Sequence, residues 1–288
     1  MPIFVIKHLT TYRYRKPVAF GEHRMMLRPR DDGDQIVLDT ELDIAPAPSR
    51  LSWTRDELGN HVAIAEFAKR ANELRFQSTI RLDHAPMNFS AHDIAGHARV
   101  FPFIRDTEHP PVIAPAVAHP RVQSWAESFL CADGSADTYD LLVGMNQAIK
   151  TRFRHAARHQ HGIQEPERTL DLASGSCRDH ALLMIAALCH LGFAARFVSG
   201  YLYLAGDDEG EEAVLDGGNT HAWTQVYVPG PGWVDFDPSS GTVGNQNLVR
   251  VAVVNDPREA IPLQGSWFGR SADQIAMKVA VRVAAASA

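Results

Sequence analysis

A cysteine at the start of an apolar segment is the first candidate for chemistry in this chain. Cys177 follows the polar turn residues 174–176 and precedes a long apolar run, so the sequence predicts that it opens a buried helix. A thiol at a helix N-terminus lies at the positive end of the helix dipole, which favours the thiolate. Cysteines are also used as core filler, and that role suits Cys189, which lies deep in the apolar run. The polar surroundings of Cys177 favour a nucleophile.

The residues around Cys177 also predict how an oxyanion would be bound. Ser176 and Asp179 have the spacing of a capping box, which places Cys177 at about the first helical position. The backbone N–H of Cys177 would then be free to bind a developing oxyanion. Gln164 is the candidate for a second donor because its side-chain amide can donate hydrogen bonds, and an ordinary loop glutamine is the alternative.

A histidine and an aspartate lie on two strand-like segments joined by the turn residues 229–232. A four-residue loop in this predicted hairpin would place His221 and Asp237 on opposite faces of the sheet. A three-residue loop, or a bulge at the turn, would instead set Asp237 opposite Trp223, roughly 7–8 Å from His221 and within side-chain reach. Asp235 has the same face parity as Asp237, so spacing alone leaves both aspartates open.

A cysteine, a histidine and an aspartate in this order are the parts of a thiol nucleophile, its base and the group that orients the base. The alternative for His221 is a strand-edge histidine bonded to the backbone. Trp223 and Trp233 flank the predicted site and are candidates for the wall of a substrate groove, although strand aromatics are often simply packed.

A second group of histidines is interpreted as solvent-exposed. His155 and His159 are one helical turn apart, a spacing that can bind zinc, and His161 is close by. Further ligands at familiar offsets are missing and arginines surround the group, so we predict no metal. The sequence also contains no glycine-rich phosphate loop, and no cofactor is expected.

The composition is typical of a soluble globular protein. The 288 residues are 45% apolar and 22% charged, and the three cysteines do not suggest a disulfide framework. The net charge of −6 gives no general affinity for nucleic acid or anionic lipid. The longest uncharged apolar run, 181–189, is too short to span a membrane, and the N-terminus does not resemble a signal peptide, so we expect a cytoplasmic protein. The acidic run 207–212 is expected to be an exposed loop.

The order of predicted elements indicates an α+β fold. Alternating apolar and polar residues predict a β-rich, sandwich-like domain over residues 1–108. A proline-rich stretch begins at 109, and the rest of the chain, 109–288, is predicted to form a catalytic core. Within this core, helical periodicity comes first and strands follow, so the nucleophile helix is expected to pack on an antiparallel sheet.

These motifs resemble the bacterial transglutaminase-like superfamily. The resemblance is carried by GSCRDHALLMIAALCHLGFAARFVSGYL and HAWTQVYVPGPGWVDFDPSSG, and the N-terminal segments HLTTYRY, HRMMLRPRDD and LSWTRDELGN are similar to the β-rich module of its bacterial members. NLVRVAVVNDPREAIPLQGSW resembles the family's C-terminal continuation. The resemblance implies a papain-like core with Cys177 as nucleophile, His221 as base and Asp237, in its F-D-P-[ST] context, as the orienting residue in preference to Asp235.

The resemblance implies acyl transfer through a thioester on the cysteine. The expected activity is hydrolysis of amide bonds in a peptide or protein substrate by a cysteine peptidase or amidase. The alternative reaction is that of a protein-glutamine transglutaminase, which passes the acyl group to an amine. A catalytically silent peptide-binding module on the same fold is an alternative of another class, and the presence of all three catalytic residue types weighs against it.

Overall fold

The computed structural model describes residues 2–105, 109–113, 119–156, 162–204 and 220–286. This part of the chain forms two large antiparallel sheets, two short two-stranded pairs and a layer of helices. Its strands are β1 (Ile3–Met25), β2 (Gln35–Ala45), β3 (Arg50–Arg55), β4 (His61–Glu66), β5 (Ala71–His84), β6 (Val100–Phe101), β7 (Ala136–Asp137), β8 (Arg154–His155), β9 (Ser174–Gly175), β10 (Ala195–Leu202), β11 (Thr220–Val228), β12 (Gly232–Asp237), β13 (Thr242–Val243), β14 (Leu248–Val254), β15 (Leu263–Phe268) and β16 (Gln274–Ala286). The two short pairs are β6 with β7 and β8 with β9.

The helices precede the second sheet in the chain, as the periodicity predicts. They are α1 (Pro120–Glu127), α2 (Thr138–Arg152), α3 (Pro166–Leu172) and α4 (Cys177–Leu191), with short 3₁₀ turns at Ala91–Asp93, Gly96–Ala98, Pro257–Glu259 and Ser271–Asp273. Helix α4 is apolar on nearly all sides and is the central helix of the core. It ends at Gly192, whose φ of 93° provides the left-handed C-cap. The α+β class with a papain-like core is therefore confirmed.

The N-terminal sheet is a curled sheet built on one long strand. Its order is β2-β5-β1-β4-β3, and β15 and β16 also pair with β1. The first half of β1 lies between β5 and β16, and its second half lies between β4 and β15. Buried residues alternate along β1 and β5, which confirms the β-rich pattern predicted for this region.

The C-terminal strands correct the predicted domain division. Ile3 pairs with Ala286, and β16 follows β1 in antiparallel register up to Tyr14 opposite Gln274. Residues 263–286 therefore belong to the N-terminal sheet and not to a catalytic core extending to residue 288. The physical reason is that the long strand β1 needs a partner on each of its edges, and the alternating C-terminal strands supply one.

The two sheets are joined by an apolar cluster and by two side-chain amides. The core sheet has the order β13-β12-β11-β10-β14, so β14 is an edge strand. The buried Gln35 both donates to and accepts from the backbone of Arg250, at 2.8 and 3.0 Å. Asn60 does the same with Val253, at 2.7 and 2.8 Å. These side-chain amides take the place of a neighbouring strand. The N-terminal part of the chain therefore satisfies backbone hydrogen-bonding groups on the edge strand β14 of the core sheet. The apolar cluster beside them comprises Phe4, Ile6, Ile80, Leu82, Tyr201, Val249, Val251, Val281 and Val283.

Among the described residues, none of the helices has the length and apolar character needed to cross a membrane. The acidic run predicted to be an exposed loop, 207–212, lies outside the described residues.

Candidate active site

Cys177 is the first residue of α4, as predicted. The Ser176 N–H and hydroxyl both donate to Asp179 Oδ2, at 2.8 and 2.9 Å, and the Gln164 N–H donates to Asp179 Oδ1 at 2.7 Å. The capping box expected from the sequence is therefore present. It fixes the turn before α4 so that the half-buried thiol lies at the helix N-terminus beside the backbone N–H of Cys177.

Gly175 makes this tight turn sterically accessible. A Cβ atom at this position would lie 2.8 Å from the Asp179 Cβ, closer than two such atoms can approach. We expect Gly175→Ala to lower the free energy of unfolding by about 1–3 kcal/mol and to slow alkylation of Cys177, because the capping box must shift. Thermal melts and thiol alkylation rates would measure both effects. Gly144→Ala, in an open position of α2, is the control and should be neutral or stabilising. Equal behaviour of the two variants would contradict this account.

The hairpin that carries His221 and Asp237 has the register required for a triad. Val228 pairs with Gly232, so the loop has three residues, and Thr224 pairs with Phe236. The same register sets Asp237 beside Trp223, diagonal to His221, which confirms the odd-loop alternative. His221 Nε2 and Asp237 Oδ2 are 2.8 Å apart.

The surroundings of Asp237 keep its carboxylate ionised. Burial would raise the pKa of Asp237, but the hydrogen bond and charge of His221 together with donors from Ser240 and Ser239 hold it below its usual value. The Ser240 hydroxyl and the Ser239 N–H donate at 2.6 and 2.9 Å. A buried carboxylate with this many donors orients the His221 ring and stabilises its protonated form.

Cys177 and His221 stabilise each other's charged forms. Burial raises the pKa of the Cys177 thiol, but hydrogen bonds from His155 and His221, the charge of His221 and the N–H of Ala222 lower that pKa to about 6. Burial lowers the pKa of His221, but the hydrogen bonds and charges of Asp237 and Cys177 raise it to about 10. Between these two values the site holds a thiolate–imidazolium pair, the reactive form of a cysteine nucleophile.

The second aspartate left open by the sequence has a different set of partners. Asp235 accepts from Trp223 Nε1 at 2.6 Å and from Arg250 Nη1 at 3.2 Å. Burial raises the pKa of Asp235 while the positive charge of Arg250 opposes that rise. Of the two aspartates, the structure therefore brings Asp237 to His221 and places Asp235 in a buried ion-pair network.

The two tryptophans predicted to wall a substrate groove do not lie where that role requires. Trp223 is 0% exposed and its ring stacks on His221, with centroids 6.2 Å apart, so it supports the histidine from beneath. Trp233 is opposite Tyr227 at the turn of the hairpin, roughly 20 Å along the strand from His221, and packs on the Arg196 guanidinium. The groove prediction is wrong for both residues, because one is sealed in the core and the other is remote.

Gln164, predicted as the second oxyanion donor, makes its side-chain hydrogen bonds elsewhere, and His155 is a polar side chain next to Cys177. The Gln164 side-chain amide donates to Thr169 Oγ1 in α3 and to the Ser174 carbonyl in β9, each at 3.0 Å, so both of its hydrogens are used by the segment that precedes α4. His155 instead lies opposite Gly175, and a hydrogen bond from it helps to lower the pKa of Cys177. The one-turn spacing of His155 and His159 noted in the sequence assumes a helix at His155, but α2 ends at Arg152 and the chain becomes extended. His159 and His161 lie outside the described residues.

Two family models match this chain. Residues 4–83 match the bacterial transglutaminase-like N-terminal region, and residues 123–238 match the transglutaminase-like superfamily core. The chain belongs to the transglutaminase-like superfamily. Cys177, His221 and Asp237 all lie within the matched core of this transglutaminase-like protein. The family is one of thiol-dependent acyl transfer, which is the chemistry that the geometry around Cys177 allows.

Relatives extend over almost the whole transglutaminase-like chain. Uncharacterized proteins of Mycobacterium tuberculosis and Mycobacterium bovis are 27% identical over 287 residues, covering 94% of this chain and 89% of theirs. YebA of Bacillus subtilis is 35% identical over 71 residues, which are 23% of this chain and 10% of that protein. The crystal structure of a candidate cysteine protease from Cytophaga hutchinsonii has a TM-score of 0.71 at 18% identity and covers 100% of this chain and 91% of that one. This likeness shows the shared fold.

Proposed function

We propose that the protein is a cysteine peptidase or amidase that hydrolyses amide bonds of a peptide or protein substrate through a thioester on Cys177. The observation that carries the proposal is the chain of contacts from the Cys177 sulfur to His221 and from His221 Nε2 to Asp237 Oδ2, the latter at 2.8 Å. A silent binding module has no need for a thiol with a lowered pKa beside a paired imidazole.

The reaction begins with the thiolate–imidazolium pair. The Cys177 sulfur attacks the amide carbonyl carbon, a C–S bond forms, and the carbonyl π electrons move to oxygen. The backbone N–H of Cys177, at the first position of α4, is placed to bind this oxyanion. The carbonyl reforms as the C–N bond breaks, and the amine leaves with the proton carried by His221. Neutral His221 then takes a proton from water, which attacks the thioester and releases the acid.

The thioester is the intermediate to detect. We expect p-nitrophenyl acetate, used as a general acyl donor, to place one acetyl group on Cys177, visible by peptide mass spectrometry after an acid quench. Cys131 is the internal control, because it is a free and solvent-exposed thiol in the same chain. Acetylation of Cys131 at the same rate as Cys177, or none at Cys177, would contradict the proposal.

Amide cleavage and the identity of the acceptor need a second measurement. A mixed peptide library incubated with the protein should show new carboxyl termini that are absent with Cys177→Ala. Adding a primary amine such as putrescine tests the acceptor. Free acids as the main products would support hydrolysis, whereas amine-linked products would assign the transglutaminase reaction to the same thioester.

A further inference from the structure

A second histidine is held against the nucleophile by a short parallel strand pair. After α2 ends at Arg152, β8 runs alongside β9 and places His155 opposite Gly175, two residues before Cys177. The Arg154 and Ala156 N–H groups donate to the carbonyls of Ala173 and Gly175, at 2.8 and 2.9 Å. The backbone on both sides of His155 is therefore hydrogen-bonded to the loop that leads into the nucleophile.

This placement brings His155 beside the start of α4, where a hydrogen bond from its ring helps to lower the pKa of the Cys177 thiol. Hydrogen bonds from His221 and from the Ala222 N–H, both on β11, lower the same pKa. His155 comes from β8 and reaches the sulfur from a separate element. His155 is a solvent-exposed residue, so a substrate can reach it.

The buried side of the His155 ring rests on another histidine. The ring of His180 is almost fully buried and meets His155 edge-on, with centroids 6.0 Å apart. His180 Nδ1 lies 3.4 Å from Ser239 Oγ, and its ring also packs edge-on against Phe153. Burial, together with the nearby His155, lowers the pKa of His180 to about 4, so it is neutral near pH 7 and packs without repelling its neighbour.

We propose that His155 is a catalytic hydrogen-bond donor, which binds the Cys177 thiolate in the free protein and the substrate oxyanion during acyl transfer. The inference rests on the function proposed above. As sulfur bonds to the carbonyl carbon, its negative charge passes to the carbonyl oxygen, one bond from that carbon. A donor already at the sulfur is within reach of this oxygen, and His155 donates to it without losing its proton. It acts with the N–H of Cys177, while Gln164 stays bonded to Thr169 and Ser174.

Two substitutions of His155 distinguish hydrogen-bond donation from packing of the ring and from proton transfer by the ring. His155→Phe keeps an aromatic ring that can pack on His180 but removes the donor. We expect it to slow acetylation of Cys177 by p-nitrophenyl acetate by about 100-fold or more, the loss typical of an oxyanion donor. His155→Gln keeps a donor that does not titrate, and we expect it to stay within about tenfold of the unmodified protein. His92→Phe, on an exposed 3₁₀ turn, is the matched control and should leave the rate unchanged.

Iodoacetamide alkylation gives a readout that needs no acyl transfer. With His155→Phe, the midpoint of Cys177 alkylation should move to higher pH, because the thiolate loses a donor, and with His155→Gln it should move less. An unchanged midpoint and acetylation rate in His155→Phe would overturn the inference. If His155→Phe and His155→Gln kept the melting temperature but lost equal amounts of acetylation rate, His155 would act by proton transfer and not by donation. That result would also overturn the inference. Failure of the proposed function is distinct, since the unmodified protein would then form no acetyl-thioester.

Discussion

Replacing His221 by alanine is expected to slow acetylation of Cys177 by about 10³–10⁴-fold, the largest loss from a single substitution at this site. Part of the loss comes from the nucleophile itself, because the hydrogen bond and charge of His221 help to hold the Cys177 pKa at about 6. Without them the thiol returns toward its ordinary pKa, and the thiolate fraction at pH 7 falls by up to about 100-fold. The rest comes from the lost base. Stopped-flow acetylation with matched melting curves would measure the effect.

The same pair of groups fixes the sign of the pH dependence. As pH rises through about 6, Cys177 loses its proton and both alkylation and amide cleavage should increase. As pH rises further through about 10, His221 loses its proton and cleavage should fall, because the departing amine must be protonated, while alkylation should stay high. In His221→Ala the alkylation midpoint should move upward. A midpoint that stays near 6 would show that another group stabilises the thiolate.

The hairpin shows how far local sequence reasoning reaches. From strand parity and the turn residues, whether His221 and Asp237 share a face depends only on the length of the loop. In the structure this loop has three residues. Parity cannot choose between Asp235 and Asp237, because both carboxylates point to the same face. What separates them is Arg250, a residue of β14 that is two strands away from β11 in the sheet.

The features that the sequence does not predict depend on contacts between distant segments. His155 follows α2 in a pattern that continues the helical period, and pairing of β8 with β9 overrides that local preference. Alternating apolar and polar residues predict that the C-terminal segment is a strand, but this pattern does not indicate that β16 pairs with β1. Trp223 and Trp233 have the composition of a groove wall, and their burial and position depend on the whole sheet.

The buried charges around Arg250 link the N-terminal sheet to the active site. Arg250 donates from Nη1 to Asp34 at 3.0 Å and to Asp235 at 3.2 Å, and its second nitrogen also bonds Asp34. Asp235 in turn holds the indole of Trp223, whose ring stacks on His221. The N-terminal sheet, through Asp34 next to β2, is thus part of the support of His221, which gives this sheet a role in positioning the core.

Arg250→Met is therefore expected to lower the free energy of unfolding by about 3–5 kcal/mol, because it leaves two carboxylates buried without their cation. Denaturant unfolding would measure this loss, and the loss should shrink as pH falls and Asp235, whose pKa burial raises, becomes protonated. The exposed pair of Arg258 and Asp256 provides the control, since Arg258→Met should change stability little. Adding Asp34→Asn to Arg250→Met should recover part of the loss by removing one uncompensated charge. A double variant less stable than Arg250→Met alone would show that Asp34 stabilises the fold through contacts other than Arg250.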